Sequence, residues 1–155
     1  MRFHLVAVGT KTPDWVSAGF DDYARRLHGG ARLALHEVAG GARRGEADPE
    51  RIRAEEAQRL RGALPRRAYR IALDQRGQRM DSQAIAERLR EWNRTGAEIA
   101  FLVGGAEGLA GELVAESEER WSLSPLTLPH ALVRIVLAEQ LYRALSILHN
   151  HPYHR

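Results

Sequence analysis

The sequence predicts an α/β fold, a single domain with a mainly parallel sheet and helices packed against it. Three observations predict it. Short apolar runs suited to buried strands alternate with longer segments whose apolar residues recur at helical spacing. Glycine, proline or aspartate closes nearly every run, as expected where strands and helices meet. The chain has 155 residues, 44% of them hydrophobic, enough for one core, and shows no internal repeat, low-complexity segment or linker. Residues 1–155 are therefore read as one domain.

Phe3–Val8 is a short apolar run ending at Gly9, which reads as a buried first strand rather than a signal peptide. Pro13 and Asp14 then start a helix in which Trp15, Val16, Phe20, Tyr23, Ala24 and Leu27 are expected to form one apolar face. Gly29 and Gly30 end it, and Arg32–Val38 alternates as a second strand. The glycine-rich loop AGGARRGEADPE carries adjacent Arg43 and Arg44 and leads into a charged helix, Glu50–Leu64, with Ile52, Ala57 and Leu60 as its apolar side. Pro65 stops that helix. Arg66, Arg67 and Arg70 flank a third strand, Tyr69–Leu73, and Asp74–Met80 reads as a polar turn after it. Asp81 and Ser82 cap a helix with Ile85, Leu89 and Trp92 spaced for burial, and Gly96 ends it. Ile99–Val103 is the most strand-like run and passes straight into GGAEGLAGELVAESEER. After a Ser/Thr/Pro loop, 122–129, comes a long, nearly all-apolar helix and a polar tail. On that helix Glu139, Gln140, Arg143 and Ser146 fall on one stripe, with Arg134 opposite. So broad an apolar surface is expected to face both the core and a second copy of the chain.

Composition narrows the function. No uncharged apolar run is long enough for a membrane span, and no membrane partner is expected. Cysteine is absent, which excludes disulfides and thiolate zinc sites and suits a cytoplasmic location. The formal charge is +3 and Lys11 is the only lysine, so nearly all the positive charge is arginine, which suits phosphate binding and stacking on bases.

Parallel sheets bind ligands where the loops gather at the C-terminal strand ends. Three loops qualify: the turn after Leu73, the glycines Gly104, Gly105 and Gly108 with Glu107 among them, and the loop 122–129. Glycines there permit close approach of a ligand to the backbone. The pattern GGxxG is not the dinucleotide fingerprint, and the P-loop pattern is missing. Leu123, Leu126 and Leu128 offer an apolar slot beside the hydroxyls of Ser124 and Thr127, a mixture that suits a purine. In the tail, His149, His151 and His154 have no neighbouring carboxylate in sequence, and no metal is expected. Tyr153, His154 and Arg155 suit an exposed base and its phosphate instead.

The segments LVAVGTKTPDWV (5–16), LD (73–74), LVGGAEGL (102–109) and SLSPLTLPHALVRIVLAEQLYRALSILHNHPYHR (122–155) resemble the RlmH family. Its members are small bacterial SPOUT-class methyltransferases that act on N3 of a pseudouridine in 23S rRNA. The resemblance spans essentially the whole chain and is least distinctive between Gly30 and Arg70. It implies a SPOUT-type C-terminal trefoil knot, a homodimer whose site is completed across the interface, and S-adenosylmethionine as methyl donor. Cofactor contacts would then fall on Leu73, Gly104, Gly105, Leu123, Ser124, Pro125, Leu126, Thr127 and Leu128. Tyr153, His154 and Arg155 would meet the RNA, with His154 taking the proton and Arg155 steadying the anion. Arg43 and Arg44, with Arg66 and Arg67, are candidate phosphate contacts. The implied partner is the ribosome with its 23S rRNA, an assembled particle rather than free RNA, and no DNA is expected. Two other readings are a non-enzymatic ribosome-associated RNA-binding module and a SPOUT methyltransferase acting on a different RNA.

Overall fold

The computed structural model describes residues 1–42, 45 and 48–155. The elements are β1 (Arg2–Val8), α1 (Asp14–Arg26), β2 (Arg32–Val38), α2 (Pro49–Ala63), β3 (Tyr69–Arg79), α3 (Ser82–Thr95), β4 (Glu98–Val103), α4 (Gly111–Ala115), β5 (Glu119–Ser122) and α5 (His130–Leu148). A short 3-10 turn, Pro152–His154, follows. The five strands form one sheet in the order β2-β1-β4-β3-β5, and every ladder between them is parallel.

The strand period of two sorts the core into two layers. Phe3, Leu5 and Ala7 of β1 face one side with Phe20 of α1, Leu89 and Trp92 of α3 and Leu137, Leu141 and Leu145 of α5. Val6 and Val8 face the other with Ala57 and Leu60 of α2 and Leu113 of α4. Helix ends follow local chemistry. Asp48 accepts from the Glu50 amide ahead of α2, Asp81 accepts from the Ala84 amide ahead of α3, and Gly96 closes α3 in the left-handed region.

The structure differs from the sequence reading in four places. Trp15 does not join the apolar face of α1 and is 59% exposed. It lies about 100° around the helix from Val16, and Val16 and Phe20, one turn apart, carry the burial. Asp74–Met80 is not a free turn, because β3 continues to Arg79. The extension is held by β5, which the sequence reading missed inside an apparently helical run. Leu73 and Gln78 both lie opposite Trp121, so residues 74–77 bulge out of the ladder. At Gly77 a side chain would come within 2.6 Å of the Arg120 carbonyl, so the bulge fits only with glycine there. Finally, Ser146 leaves the polar stripe of α5, being fully buried and donating to the Tyr142 carbonyl.

β5 is short but tied down. The Glu119 carboxylate accepts from the Tyr69 hydroxyl at 2.7 Å, from the Trp121 indole at 3.0 Å and from Arg88. Trp121 is fully buried and stacks on Trp92 at 5.8 Å between ring centres. This fixes where the chain leaves the sheet at Ser122 and enters the loop before α5.

Candidate active site

A cavity of about 700 Å³ opens beside the β3 bulge and the C-terminal ends of β4 and β5. Its size is that of a small-molecule site. Three chain segments contribute most of its lining, within Leu73–Arg76, Val103–Gly111 and Arg120–Leu128, joined by Val114 and Ala115 of α4, Arg53 of α2 and His130 and Val133 of α5. These are the three loops singled out in the sequence.

The glycine turn forms one wall. The Gly108 amide donates to the Gly105 carbonyl at 3.0 Å, and Gly108 is left-handed at φ +78°. A side chain on Gly104 would lie 2.5 Å from the Gly108 carbonyl carbon, so only hydrogen fits there. The loop before α5 forms the facing wall. The Ser124 hydroxyl accepts from the Leu126 amide at 2.9 Å, and the Ser122 hydroxyl donates to the Ser124 carbonyl at 3.0 Å. Gln75 donates to the Thr127 hydroxyl at 2.7 Å, joining the β3 bulge to this loop. Both Ser124 and Thr127 thus act as acceptors and keep their own O–H for a ligand. Leu123 packs on the core, while Leu126 is 69% exposed at the cavity mouth.

Leu73, Gly104, Gly105, Leu123, Ser124, Leu126, Thr127 and Leu128 all line this cavity, and Pro125 does not, although it belongs to the same loop. The sequence reading missed several lining residues. Asp74 accepts from Arg120 at 2.8 Å and from the Arg76 amide at 3.0 Å. Burial alone would push its carboxyl up, but these donors and the two guanidinium charges hold it below the ordinary aspartate value. Arg53 reaches the cavity from α2 and donates to the Glu107 carbonyl at 3.4 Å. No local pattern marks Arg53 or His130, because their place depends on how α2 and α5 pack beside the loops.

The tail lies elsewhere. None of Tyr153, His154 or Arg155 lines the cavity. The Tyr153 hydroxyl donates to Glu139 at 3.0 Å, and its ring stacks on Tyr142 and under Arg143. Burial and the Glu139 carboxylate push this phenol up to about 12. Glu139 is six residues along α5 from Val133, a rise of about 9 Å. His149 meets His28 at 3.0 Å between Nδ1 atoms, with the His151 ring beside them. Burial, then the nearby His149 and His151, hold the His28 imidazole below its ordinary value.

The remaining arginines divide. Arg66 and Arg67 are exposed just before β3, at the end of the sheet opposite the cavity. Arg43 and Arg44 lie outside the described residues. No helix among the described residues is long and apolar enough to cross a membrane.

Comparison with known proteins gives this geometry a family. A family model described as "Predicted SPOUT methyltransferase" matches residues 1–154. The chain is 46% identical over 155 residues to a Stenotrophomonas maltophilia (strain R551-3) protein named "Ribosomal RNA large subunit methyltransferase H", covering all of this chain and 99% of that one. A Burkholderia mallei (strain SAVP1) protein of the same name is equally similar, with the same coverage. Among solved structures, a probable methylase family protein from Haemophilus influenzae Rd KW20 shares the fold, with a TM-score of 0.59 at 14% identity, over 99% of this chain and 70% of that one. A three-loop cavity at the C-terminal edge of a parallel sheet, in a chain matched from end to end, has one reading: this protein belongs to the SPOUT methyltransferase family.

Proposed function

We propose that the chain is an S-adenosylmethionine-dependent methyltransferase that modifies N3 of a pseudouridine in 23S rRNA, on the assembled ribosome in the cytoplasm. The observation that carries this reading is the convergence of the three loops on one cavity, in a chain 46% identical to proteins named for large-subunit rRNA methylation. Residues 1–155 act as one methyltransferase domain, and the loop 122–129 with α5 forms the threaded part of a trefoil knot.

The cavity fits the proposed cofactor. Gly104, Gly105 and Gly108 give this wall bare backbone, which lets a ligand approach main-chain groups closely. Leu73, Leu123, Leu126 and Leu128 give the cavity apolar lining suited to an adenine ring, and the Ser124 and Thr127 hydroxyls can supply donors beside it. Leu73, Gly104, Gly105 and Leu123–Leu128 would hold the group, Pro125 by shaping the loop. S-adenosylmethionine supplies an already activated methyl group. What remains for the protein is to align the base and to relieve N3 of its proton.

His154 takes that proton in this reading, and Arg155 steadies the imide anion or grips a phosphate. Tyr153 offers a ring on which a base can stack. The tail rests against the middle of α5 in its own chain, outside the cavity. A second copy therefore supplies the tail to each cavity, which makes the homodimer part of the site. Leu132 and Val136, half-buried one turn apart on α5 and belonging to neither core cluster, are the surface for that contact. Arg53 and Arg76 at the cavity mouth, with Arg43 and Arg44, meet phosphate.

The test is methylation of ribosomes from cells lacking this chain, with mass spectrometry of the rRNA. The unaltered protein is expected to add one methyl group to a pseudouridine. Arg155→Ala is expected to lose at least ~100-fold in rate while binding S-adenosylmethionine normally. A normal rate for R155A removes the role given to the tail. Saturable cofactor binding without rRNA methylation points to another RNA, and no cofactor binding at all removes the enzymatic reading.

A further inference from the structure

Behind the cavity wall lies a buried carboxyl group that no step above uses. Glu56 of α2 is only 5% exposed. Its Oε2 accepts from the Gly41 amide at 2.9 Å, while Oε1 is buried without a hydrogen-bond partner. Three glycines from two loops surround this carboxylate. A side chain on Gly105 would sit 3.2 and 3.3 Å from its two oxygens, and one on Gly40 would sit 3.5 Å from Oε2. Gly105 lines the cavity on its other side and Glu56 does not.

Holding the loop after β2 does not by itself require this group. Glu55 already accepts from the Ala42 amide at 3.0 Å, Arg51 donates to the Ala42 carbonyl at 2.8 Å, and Arg59 donates to the Gly40 carbonyl at 2.6 Å. A carboxylate buried with one oxygen unsatisfied is unfavourable, so its retention calls for a use. The free oxygen lies 3.3 Å from where a side chain on Gly105 would begin, so the carboxylate fills the space behind this residue of the glycine turn.

We propose that Glu56 is a positioning residue for the cofactor cavity: seated on Gly41 and pressed against Gly105, it sets the shape of the glycine turn from behind. The inference rests on the function proposed above. It deepens that reading by assigning cofactor affinity to a residue that does not touch the cofactor. Gln in its place keeps the shape and one acceptor, but puts an N–H2 where the turn now meets an oxygen.

The experiment uses the full chain, with calorimetric titration of S-adenosylmethionine and methylation rates on ribosomes at saturating cofactor. Glu56→Gln is expected to weaken cofactor binding by about tenfold or more, with the saturated rate within about twofold of normal. Gly105→Ala, which pushes a methyl group against the same carboxylate, is expected to weaken binding too. On the E56Q background the effect of G105A is expected to shrink, because neighbours acting through one contact are not additive. Unchanged affinity in E56Q overturns the proposal, and so does a loss confined to the saturated rate. If E56Q does not fold, Glu56→Asp, which draws the carboxylate back from Gly105 by one methylene, takes its place, and normal binding by it overturns the proposal. If the unaltered chain binds no S-adenosylmethionine, the proposed function falls first and takes this inference with it.

Discussion

Gly104 has no room for a side chain. An added methyl group would meet the Gly108–Leu109 peptide group, 2.5 Å from its carbonyl carbon and 2.8 Å from its nitrogen, and backbone cannot swing away as a side chain would. Gly104→Ala is expected to destabilise the protein by about 1–3 kcal/mol and to abolish cofactor binding, both readable by thermal unfolding with and without S-adenosylmethionine. Gly62 in α2 is the control. Nothing lies within 4 Å of a methyl group there, and Gly62→Ala is expected to stabilise by up to ~1 kcal/mol with binding unchanged. At this scale much of the site was legible in the sequence. Gly104, Gly105 and the loop 123–128 stand next to strand ends, where glycine, proline and hydroxyl residues are local marks, and Leu73 closes the apolar run of β3. Asp74 was quoted in a motif without a role, and Arg53 and His130 carried no mark at all, since only packing of α2 and α5 brings them to the cavity.

At the scale of the element, α5 carries the most. Arg134 is almost fully buried on it, donating to Glu37 at 2.6 Å and to the Gly9 carbonyl at 2.8 Å. These bonds tie the start of the helix to the ends of β1 and β2, and so fix where the preceding loop meets the glycine turn. The buried face of the helix includes Leu137, Leu141 and Leu145, whereas Leu132 and Val136 stand outside both core clusters. Val136→Asp, alone or with Leu132→Asp, is expected to convert the proposed dimer to a folded monomer with ribosome methylation lost. Light scattering reads the mass and circular dichroism the fold. A double variant that stays dimeric places the interface on another face. β5 and the β3 bulge are the opposite case. ERWS is held extended by its pairing with Ile71–Leu73, and it in turn holds Gln78 and Arg79 of DQRGQRM in the sheet.

For the whole molecule, the decisive relation is between cavity and tail. They lie at different levels along α5, with the tail folded back on Glu139, Tyr142 and Arg143. If the tail of one copy serves the cavity of the other, two inactive chains should complement. Mixed dimers of a Gly104→Ala chain with an Arg155→Ala chain carry one intact cavity facing one intact tail. They are expected to recover a quarter to a half, roughly, of the activity of the unaltered dimer, since one of two sites is whole. Activity no higher than that of either parent means that each tail serves its own cavity.

The sequence by itself determined the class of fold, the order of nearly all the elements, the aspartate cap and glycine end of α3 and the three loops around the cavity. Each of these is written in local chemistry: a period of two or 3.6, a capping aspartate, a glycine at a strand end. The tertiary structure decided what depends on residues distant along the chain. It exposed Trp15, buried Ser146, extended β3 through a strand that has no propensity of its own, and carried Arg53 to the cavity. It also set Glu56 behind Gly105, 49 positions away, where a buried carboxylate occupies the space a side chain on that glycine would need. Such pairings come from the packing of whole layers, in which each side chain's surroundings are supplied by other elements, and no local pattern encodes them.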